Sequence, residues 1–262
     1  MNILFFGDIV GKVGRRAFAA AMPALKKKYK ADVVIANLEN LAHGKGLTSG
    51  TLQEVLVTGL DIGTGGNHTF SKPEAEQIYG SEPNILVRPA NYPVGIPGTG
   101  VKRFVITKYS VTIINLLGEH GMAFLPSESP FTWIERWLKE KHEPADATVL
   151  DFHAETTSEK VSMGWYLDGK VTAVIGTHTH VPTADVRVLP KGTGYITDVG
   201  MVGLRDSSLG LDKDIAIQRF LTGQKVQWEV PEKGLVAINA VLLRCKNGRT
   251  TAVEKIYQEI TV

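Results

Sequence analysis

Short apolar runs alternate with helical patterns along the first third of the chain, and this alternation restricts the possible folds more than any other feature. We predict strands at Asn2–Gly7, Asp32–Leu38, Asp61–Thr64 and Ile85–Arg88, and helices at Arg15–Lys28, Leu52–Thr58 and Pro73–Tyr79. A strand–helix–strand order of this kind favours parallel βαβ units and a layered α/β core.

The pattern changes after residue 100, where two neighbouring runs predict an antiparallel hairpin. These runs are Val101–Thr107 and Val111–Leu117. An amphipathic helix at Phe131–His142 and two apolar strands at Thr148–Phe152 and Val171–Gly176 follow. A second set of antiparallel strands is predicted at Val186–Leu189, Gly194–Thr197, Leu235–Arg244 and Thr251–Gln258. We therefore predict an α/β (α+β layered) fold, a single domain of residues 1–262 with a mixed sheet or two packed sheets flanked by helices.

Composition excludes several classes of protein. The 262 residues suffice for one large domain, and a net charge of +2 argues against a stable nucleic-acid complex. The amino terminus lacks the charge order of a secretory signal, and no run approaches the roughly 18 apolar residues of a membrane helix. Cys245 is the only cysteine, so no disulfide forms within the chain, and we expect a cytoplasmic protein without a membrane partner.

Polar side chains follow five of the predicted strands. Because ligands bind at the carboxyl ends of strands in α/β proteins, we expect these side chains to meet at one site. They are Asp8, Glu39, Asn40, Asn67, His68, His153, His178 and His180. The last two stand at i and i+2, so on an extended chain both imidazoles would point the same way.

The types of these side chains indicate metal ions. Carboxylate, carboxamide and imidazole groups without a thiolate suit Fe, Mn or Zn. Six or seven ligands exceed the needs of one ion but can hold two, with Glu39 placed to bridge them. Taken singly, Asp8 and Asn67 are also typical of turns or caps, and His153 of a buried core histidine. The coincidence at five strand ends favours the metal interpretation.

The motifs "GDIV", "LEN", "GGNH", "FHAE" and "GTHTH" together resemble those of the calcineurin-like metallophosphoesterases. That resemblance implies a β-sandwich of mixed sheets flanked by α-helices. Three departures from the usual pattern, at Val10, Glu39 and Thr69, look like the YmdB-like branch of small bacterial enzymes that hydrolyse 2′,3′-cyclic nucleotides. "GDIVGKVGR", "ENLAHGKGLT" and "DVGMVG" also resemble that branch.

The resemblance implies roles for the individual residues. One ion would be held by Asp8, Glu39, Asn40 and His180, and the other by Glu39, Asn67, His153 and His178. Asn40 would fill the place of the histidine that Val10 replaces. The two ions would be iron, with manganese as an alternative. His68 would be the proton donor, and Thr69 leaves open what orients its ring.

Two metal ions explain why a phosphodiester can be attacked at all. They would bind the phosphate oxygens and acidify a shared water, whose bridging hydroxide would attack phosphorus. A histidine then protonates the leaving oxygen. We expect a small nucleotide phosphodiester such as 2′,3′-cAMP as substrate and a 3′-nucleotide as product, with a homo-oligomer as one possible assembly. The alternatives are a broader phosphodiesterase or phosphomonoesterase, or a metal-binding regulatory protein linked to RNA turnover with incidental catalysis.

The segment Gly44–Gly50 is predicted to be a flexible loop near Asn40. His43 at its start is interpreted as an ordinary loop histidine, with substrate contact as the second interpretation. For Arg205 and Asp206 we favour a surface ion pair over a role in lining the pocket.

Overall fold

Two β-sheets packed face to face form the centre of the protein. The computed structural model describes residues 1–81, 85–124, 126–227 and 229–262. Within these ranges it has thirteen strands and six α-helices. The mixed α/β architecture with two sheets confirms the predicted fold class.

The first sheet contains seven strands in the order β13-β12-β11-β1-β2-β3-β4. Strands β1 to β4 are parallel, β11 is parallel to β1, and β12 runs antiparallel to β1, β11 and β13. Their bounds are β1 Asn2–Ile9, β2 Val33–Asn37, β3 Ile62–Thr64, β4 Leu86–Val87, β11 Met201–Leu204, β12 Leu235–Lys246 and β13 Arg249–Thr261.

The second sheet contains six strands in the order β5-β6-β7-β8-β10-β9. Its central strands β6, β7, β8 and β10 are parallel, and the edge strands β5 and β9 are antiparallel to their neighbours. The bounds are β5 Val101–Ile106, β6 Tyr109–Leu117, β7 Ala147–His153, β8 Ala173–Thr177, β9 Arg187–Val188 and β10 Gly194–Ile196.

Helices cover the outer face of each sheet. The first sheet packs against α1 (Gly11–Tyr29), α2 (Ser49–Leu56) and α3 (Ala75–Gly80), and the second against α4 (Pro130–Lys139) and α5 (Thr157–Leu167). The remaining helix, α6 (Lys213–Thr222), is preceded by the N-cap residue Asp212, whose side chain accepts hydrogen bonds from two backbone N–H groups of the first turn. Such a cap satisfies donors that the helix cannot pair internally.

The alternation of side chains along each strand explains this layering. In β1, Ile3 and Phe5 point into the core between the sheets, whereas Leu4 and Phe6 point toward the helices. Phe6 meets Phe18 of α1 edge to face, with ring centroids 4.9 Å apart. Because both faces of β1 are buried, the strand reads as a continuous apolar run rather than an alternating one.

The four later segments that were predicted to form a second set of antiparallel strands do not form one set. Strands β12 and β13 belong to the first sheet, whereas β9 and β10 belong to the second, where β10 runs parallel to β8. Strand β11 and helix α6 were not predicted from the sequence. Pairing between strands distant in sequence depends on how the layers pack, and local pattern does not record it.

No helix among the described residues is long and apolar enough to cross a membrane.

Candidate metal centre

The polar side chains predicted to meet do lie together, at the carboxyl ends of strands from both sheets. Asp8 lies in β1, His153 ends β7, and the others follow β2, β3 or β8. Asp8, Glu39, Asn40 and His153 are each 2% exposed or less. So many buried polar groups require partners or an ion.

A β-bulge aims Asp8 at the site. The pairing between β1 and β2 shifts register between Phe6 and Asp8, leaving Gly7 as the extra residue. A Cβ at Gly7 would lie 1.7 Å from the carbonyl oxygen of Gly200, so only glycine fits here. Asp8 was predicted to follow the strand, but the strand continues through it to Ile9.

A first group of side chains surrounds Asn40. Its Nδ2 lies 3.4 Å from Asp8 Oδ1, 3.5 Å from Glu39 Oε1 and 3.2 Å from His180 Nε2. Amide N–H groups bond to acceptors but cannot ligate a cation, so Asn40 would have to turn its oxygen inward to hold an ion. The four residues match the first predicted ligand set.

A second group surrounds Nε2 of His153. That atom lies 3.1 Å from Glu39 Oε1, 3.0 Å from Asn67 Oδ1 and 3.0 Å from His178 Nδ1. The ligand atoms of Glu39, His153 and His178 all lie within 4.8 Å of one another. Glu39 contacts both groups, as the prediction of a bridging ligand requires.

Hydrogen bonds at the far side of each imidazole leave one nitrogen facing the site. His153 Nδ1 lies 2.9 Å from Thr177 Oγ1, and His180 Nδ1 donates to the carbonyl oxygen of Leu209 at 2.9 Å. His178 is reversed, since its Nε2 lies 3.0 Å from Glu155 Oε2. Such outer partners fix the ring orientation of metal-binding histidines.

A buried network, missed from the sequence, supports His153. Thr177 Oγ1, which contacts His153, donates to Asp151 Oδ1 at 2.6 Å. Asn37 Nδ2 donates to Asp151 Oδ2 at 3.2 Å, and Asn37 Oδ1 accepts from the backbone N–H of Glu39 at 3.1 Å. Asp151 stands two residues before His153 in the apolar strand β7. A carboxylate in such a strand was the one sequence signal that could have pointed to this network.

Both imidazoles face the centre, as predicted, but the segment carrying His178 and His180 is a turn and not the extended chain that the prediction assumed. β8 ends at Thr177, and the φ values of His178 and His180 are 98° and 64°. Residues other than glycine rarely adopt a positive φ, so contacts with neighbouring residues have to stabilise this turn.

A buried ion pair supplies those contacts. Lys160 Nζ donates to Asp198 Oδ2 at 2.6 Å and to the carbonyl oxygen of Thr177 at 2.7 Å. Asp198 Oδ2 also accepts from the backbone N–H of Thr179 at 3.0 Å. The Lys160–Asp198 pair therefore holds the backbone at the start and in the middle of the turn. This pair was not predicted from the sequence.

Burial and charge act in opposite directions on the carboxylates and imidazoles of the centre. Burial alone would lower the pKa of His153, but the carboxylates of Glu39, Asp8 and Asp151 raise it to about 9. Burial would raise the pKa of Glu39, but His153 and His68 lower it to about 2. Burial, followed by the charge of His153, lowers the pKa of His178 to about 3. His153 and Glu39 thus form an ion pair when no metal is bound.

We expect metal binding to displace the proton of His153. A ligating imidazole must be neutral, and the pKa near 9 means that Nε2 is protonated below that pH. Each unit by which the pH falls below 9 should therefore weaken Mn²⁺ binding about tenfold. Calorimetric Mn²⁺ titrations at pH 7.5 in two buffers of different protonation enthalpy measure the protons released. Release of none would contradict the assignment of His153 as a ligand.

Gly66 brings the backbone close to the ligands. A Cβ at Gly66 would lie 2.3 Å from Glu39 Oε2 and 2.4 Å from His153 Nε2. We expect Gly66→Ala to displace these groups and to weaken Mn²⁺ binding at least about tenfold. Gly50→Ala is the matched control, because nothing lies within 4 Å of its added Cβ. Equal Mn²⁺ affinity in the two variants would count against the role of Gly66.

His68 stands beside the ligands at the wall of a cavity of about 540 Å³. Its backbone N–H donates to Glu39 Oε2 at 2.7 Å. Thr69 does not orient the His68 ring, because its hydroxyl bonds back to Gly66. Burial lowers the pKa of His68, Glu39 opposes that shift, and Lys45 adds to it. The cavity is lined by Val10, Glu39, Asn40, His43, Gly44, Lys45, His68, Lys72, Glu155, His178, Thr179, His180, Leu209, Leu211 and Arg219.

The remaining interpretations can also be compared with the structure. His43 is an exposed loop residue at the rim of the cavity, a position that agrees with either interpretation of this histidine. Arg205 and Asp206 form an exposed ion pair at 2.9 Å, as predicted. The segment Gly44–Gly50 runs from a loop into the first turn of α2, whose amino end is capped by Thr48.

The donor chemistry of the centre fits divalent metal ions. Oxygen and imidazole donors converge from two groups that share one carboxylate, and no thiolate belongs to either group. A profile of the YmdB-like protein family matches residues 4–256 of the chain. The chain belongs to the YmdB-like family.

Relatives are similar to this YmdB-like chain in sequence and structure over nearly its full length. A Bacillus subtilis (strain 168) protein named 2′,3′-cyclic-nucleotide 2′-phosphodiesterase is 44% identical over 255 residues, covering 97% of this chain and 95% of the relative. A hypothetical protein of Thermus thermophilus has 39% identity and a TM-score of 0.91, with 99% of both chains covered. A Mycoplasma pneumoniae phosphatase has 35% identity and a TM-score of 0.92, covering 99% of this chain and 93% of that one. The resemblance and the metallophosphoesterase-type fold predicted from the motifs are thus confirmed.

Proposed function

We propose that this protein hydrolyses 2′,3′-cyclic nucleotides to 3′-nucleotides at a centre of two metal ions. The observation that carries the proposal is the pair of ligand groups joined by Glu39, with His68 beside them at the wall of an open cavity. The name of the Bacillus subtilis relative supports the choice of substrate and identifies that relative as a hydrolase.

The metal assignment rests on the types of ligand. We propose two ions per chain, iron with manganese as the alternative, held by Asp8, Glu39, Asn40 and His180 and by Glu39, Asn67, His153 and His178. When bound, such ions withdraw charge from the phosphate oxygens and lower the pKa of water. The protein contributes a rigid arrangement of ligands, because Thr177, Leu209 and Glu155 fix the rings of the three histidines.

His68 is proposed to protonate the leaving ribose 2′-oxygen. Its position is set by Glu39, through the backbone bond of 2.7 Å, so the ring stays beside the metal ligands. Its lowered pKa makes the protonated ring a stronger acid, which favours transfer to a departing alkoxide. The oxygen of a water molecule bonds to phosphorus as the P–O2′ bond breaks. O2′ takes the proton of His68, the phosphate remains on O3′, and the proton that the water loses passes to solvent.

The first experiment compares three substrates on Mn²⁺-loaded protein: 2′,3′-cAMP, bis-p-nitrophenyl phosphate and p-nitrophenyl phosphate. We expect about two ions per chain by elemental analysis and the highest kcat/KM on 2′,3′-cAMP. Preference for p-nitrophenyl phosphate would favour a phosphomonoesterase instead. Bound metal without turnover of any substrate would favour a regulatory role.

Replacing His68 tests its role as proton donor. In His68→Ala, kcat on 2′,3′-cAMP should fall about 10²- to 10⁴-fold, the usual contribution of a general acid, while two ions remain bound. His142→Ala provides the control, since His142 is exposed and stacks on Trp137 after α4. Unchanged kcat in His68→Ala would assign the proton transfer elsewhere.

A further inference from the structure

Two lysines in the wall of the cavity hold neither a metal ion nor the reacting phosphate in the chemistry described above. Lys45 follows the ligands Glu39 and Asn40, and Lys72 follows His68 by four residues. Both line the cavity together with those ligands. In the described parts of the chain, neither ammonium group forms a hydrogen bond or a salt bridge.

Backbone contacts hold the two lysines on the same side of the centre. The N–H of Gly46, the residue after Lys45, donates to the carbonyl oxygen of Glu39, and the N–H of Ala42 donates to that of Gly46 at 2.8 Å. A Cβ at Gly46 would lie 2.9 Å from Cγ of Lys72, so the loop packs directly on the Lys72 side chain. The two side chains therefore leave the backbone at one wall of the cavity.

The carboxylates of the cavity are engaged away from this wall. Among the described residues that line the cavity, Glu39 and Glu155 are the acids. Glu39 contacts His153 at 3.1 Å, and Glu155 contacts His178 at 3.0 Å. The lysines thus leave positive charge beside a site that already attracts one anion to its metal ions.

A nucleoside 2′,3′-cyclic phosphate carries a single phosphate, which the metal ions would hold. It leaves the lysines without a partner. Val10, Leu209 and Leu211 supply apolar surface in the cavity for a ribose and base. An RNA fragment that ends in a 2′,3′-cyclic phosphate carries a second phosphate, on the 5′ oxygen of the same terminal nucleoside. The cyclic mononucleotide lacks this second phosphate.

We propose that Lys45 and Lys72 bind this second phosphate, and that the preferred substrate is a short oligoribonucleotide ending in a 2′,3′-cyclic phosphate. The inference rests on the function proposed above and names its substrate class. Lysine ammonium groups bind phosphate oxygens as charged donors. Such a substrate is released after turnover, so no stable nucleic-acid complex is required.

The test measures kcat/KM of the Mn²⁺-loaded protein on three substrates. These are 2′,3′-cAMP, its 5′-phosphorylated form, and diadenylate with a 2′,3′-cyclic phosphate end. We expect the diadenylate to exceed 2′,3′-cAMP at least about tenfold, and this ratio to fall to within about twofold in Lys45→Gln/Lys72→Gln. Lys27→Gln should keep the wild-type ratio, since Lys27 is exposed in the last turn of α1.

Three outcomes would overturn the proposal. The first is equal kcat/KM on 2′,3′-cAMP and the diadenylate, and the second is an unchanged ratio in the double variant. The third is a preference for the 5′-phosphorylated mononucleotide alone, which would exclude the oligoribonucleotide.

A binding experiment separates this proposal from the proposed function. Adenosine 3′,5′-bisphosphate carries a product-like phosphate and a second one, whereas adenosine 3′-monophosphate carries only the first. We expect the bisphosphate to bind wild type at least about tenfold more tightly, and the two to bind the double variant equally. If no cyclic phosphate is hydrolysed, the proposed function fails, yet this comparison still decides whether the lysines bind a second phosphate. Equal affinity in wild type would overturn that binding.

Discussion

Glu39→Gln is expected to abolish the metal centre. Glu39 contacts both ligand groups, lying 3.1 Å from His153 Nε2 and 3.5 Å from Asn40 Nδ2. Removing its charge should leave less than one ion per chain and lower kcat/KM at least about a thousandfold, because a metal centre supplies several kcal/mol of stabilisation to the transition state. Elemental analysis after dialysis, with hydrolysis of 2′,3′-cAMP, measures both effects.

The control for this variant is Glu54→Gln. Glu54 is a half-exposed carboxylate on α2, paired with Arg15 at 2.7 Å and outside the cavity lining. It should keep both ions and full activity. Two tightly bound ions in Glu39→Gln would contradict a bridging role for Glu39.

Lys160→Met should produce the largest loss of stability. The Lys160–Asp198 pair is almost fully buried, and removing one partner leaves an uncompensated charge that costs about 3–5 kcal/mol. For a protein of this size the melting temperature should fall by about 10 °C. Mn²⁺ binding should weaken as well, since the turn with His178 and His180 loses its support.

Thermal unfolding of the apo and Mn²⁺-loaded forms measures this effect. The exposed pair of Lys12 and Glu232 offers a matched control, and Lys12→Met should lower stability by about 1 kcal/mol or less. Lys160→Met/Asp198→Asn should be more stable than the sum of the single losses predicts, because no lone charge remains. A melting temperature of Lys160→Met within about 2 °C of wild type would refute the structural role of the pair.

The positions of the proposed metal ligands could be predicted because each one lies near the carboxyl end of a strand. Asp8 is the second-last residue of β1, Asn67 follows β3 and His153 ends β7. The carboxyl ends of parallel strands meet at one edge of an α/β sheet, so no further information was needed to bring these residues together. The same reasoning located Glu39, and its contacts with both groups agree with the predicted bridge.

The supporting residues could not be predicted because their partners are distant in sequence. Lys160 lies on α5, in a helix with no unusual pattern, and meets Asp198 only because α5 packs on the second sheet. The left-handed backbone of His178 and His180 is equally hidden, since the residue types in "GTHTH" give no indication of positive φ at either histidine. By contrast, α6 was recognisable, because Asp212 at the N-cap and Asp214 in the first turn are standard signals of a helix start.

Because the proposed ligands come from both sheets, bound metal ions would link the two layers of the fold. Asp8 lies in the first sheet, and Glu39, Asn40 and Asn67 follow strands of that sheet. His153 ends a strand of the second sheet, and His178 and His180 follow another. Each proposed ion therefore draws ligands from both layers. Any sliding of one sheet against the other would stretch both coordination shells at once, so substitutions in the apolar interior between the sheets, far from any substrate, should tune how tightly the metals are held.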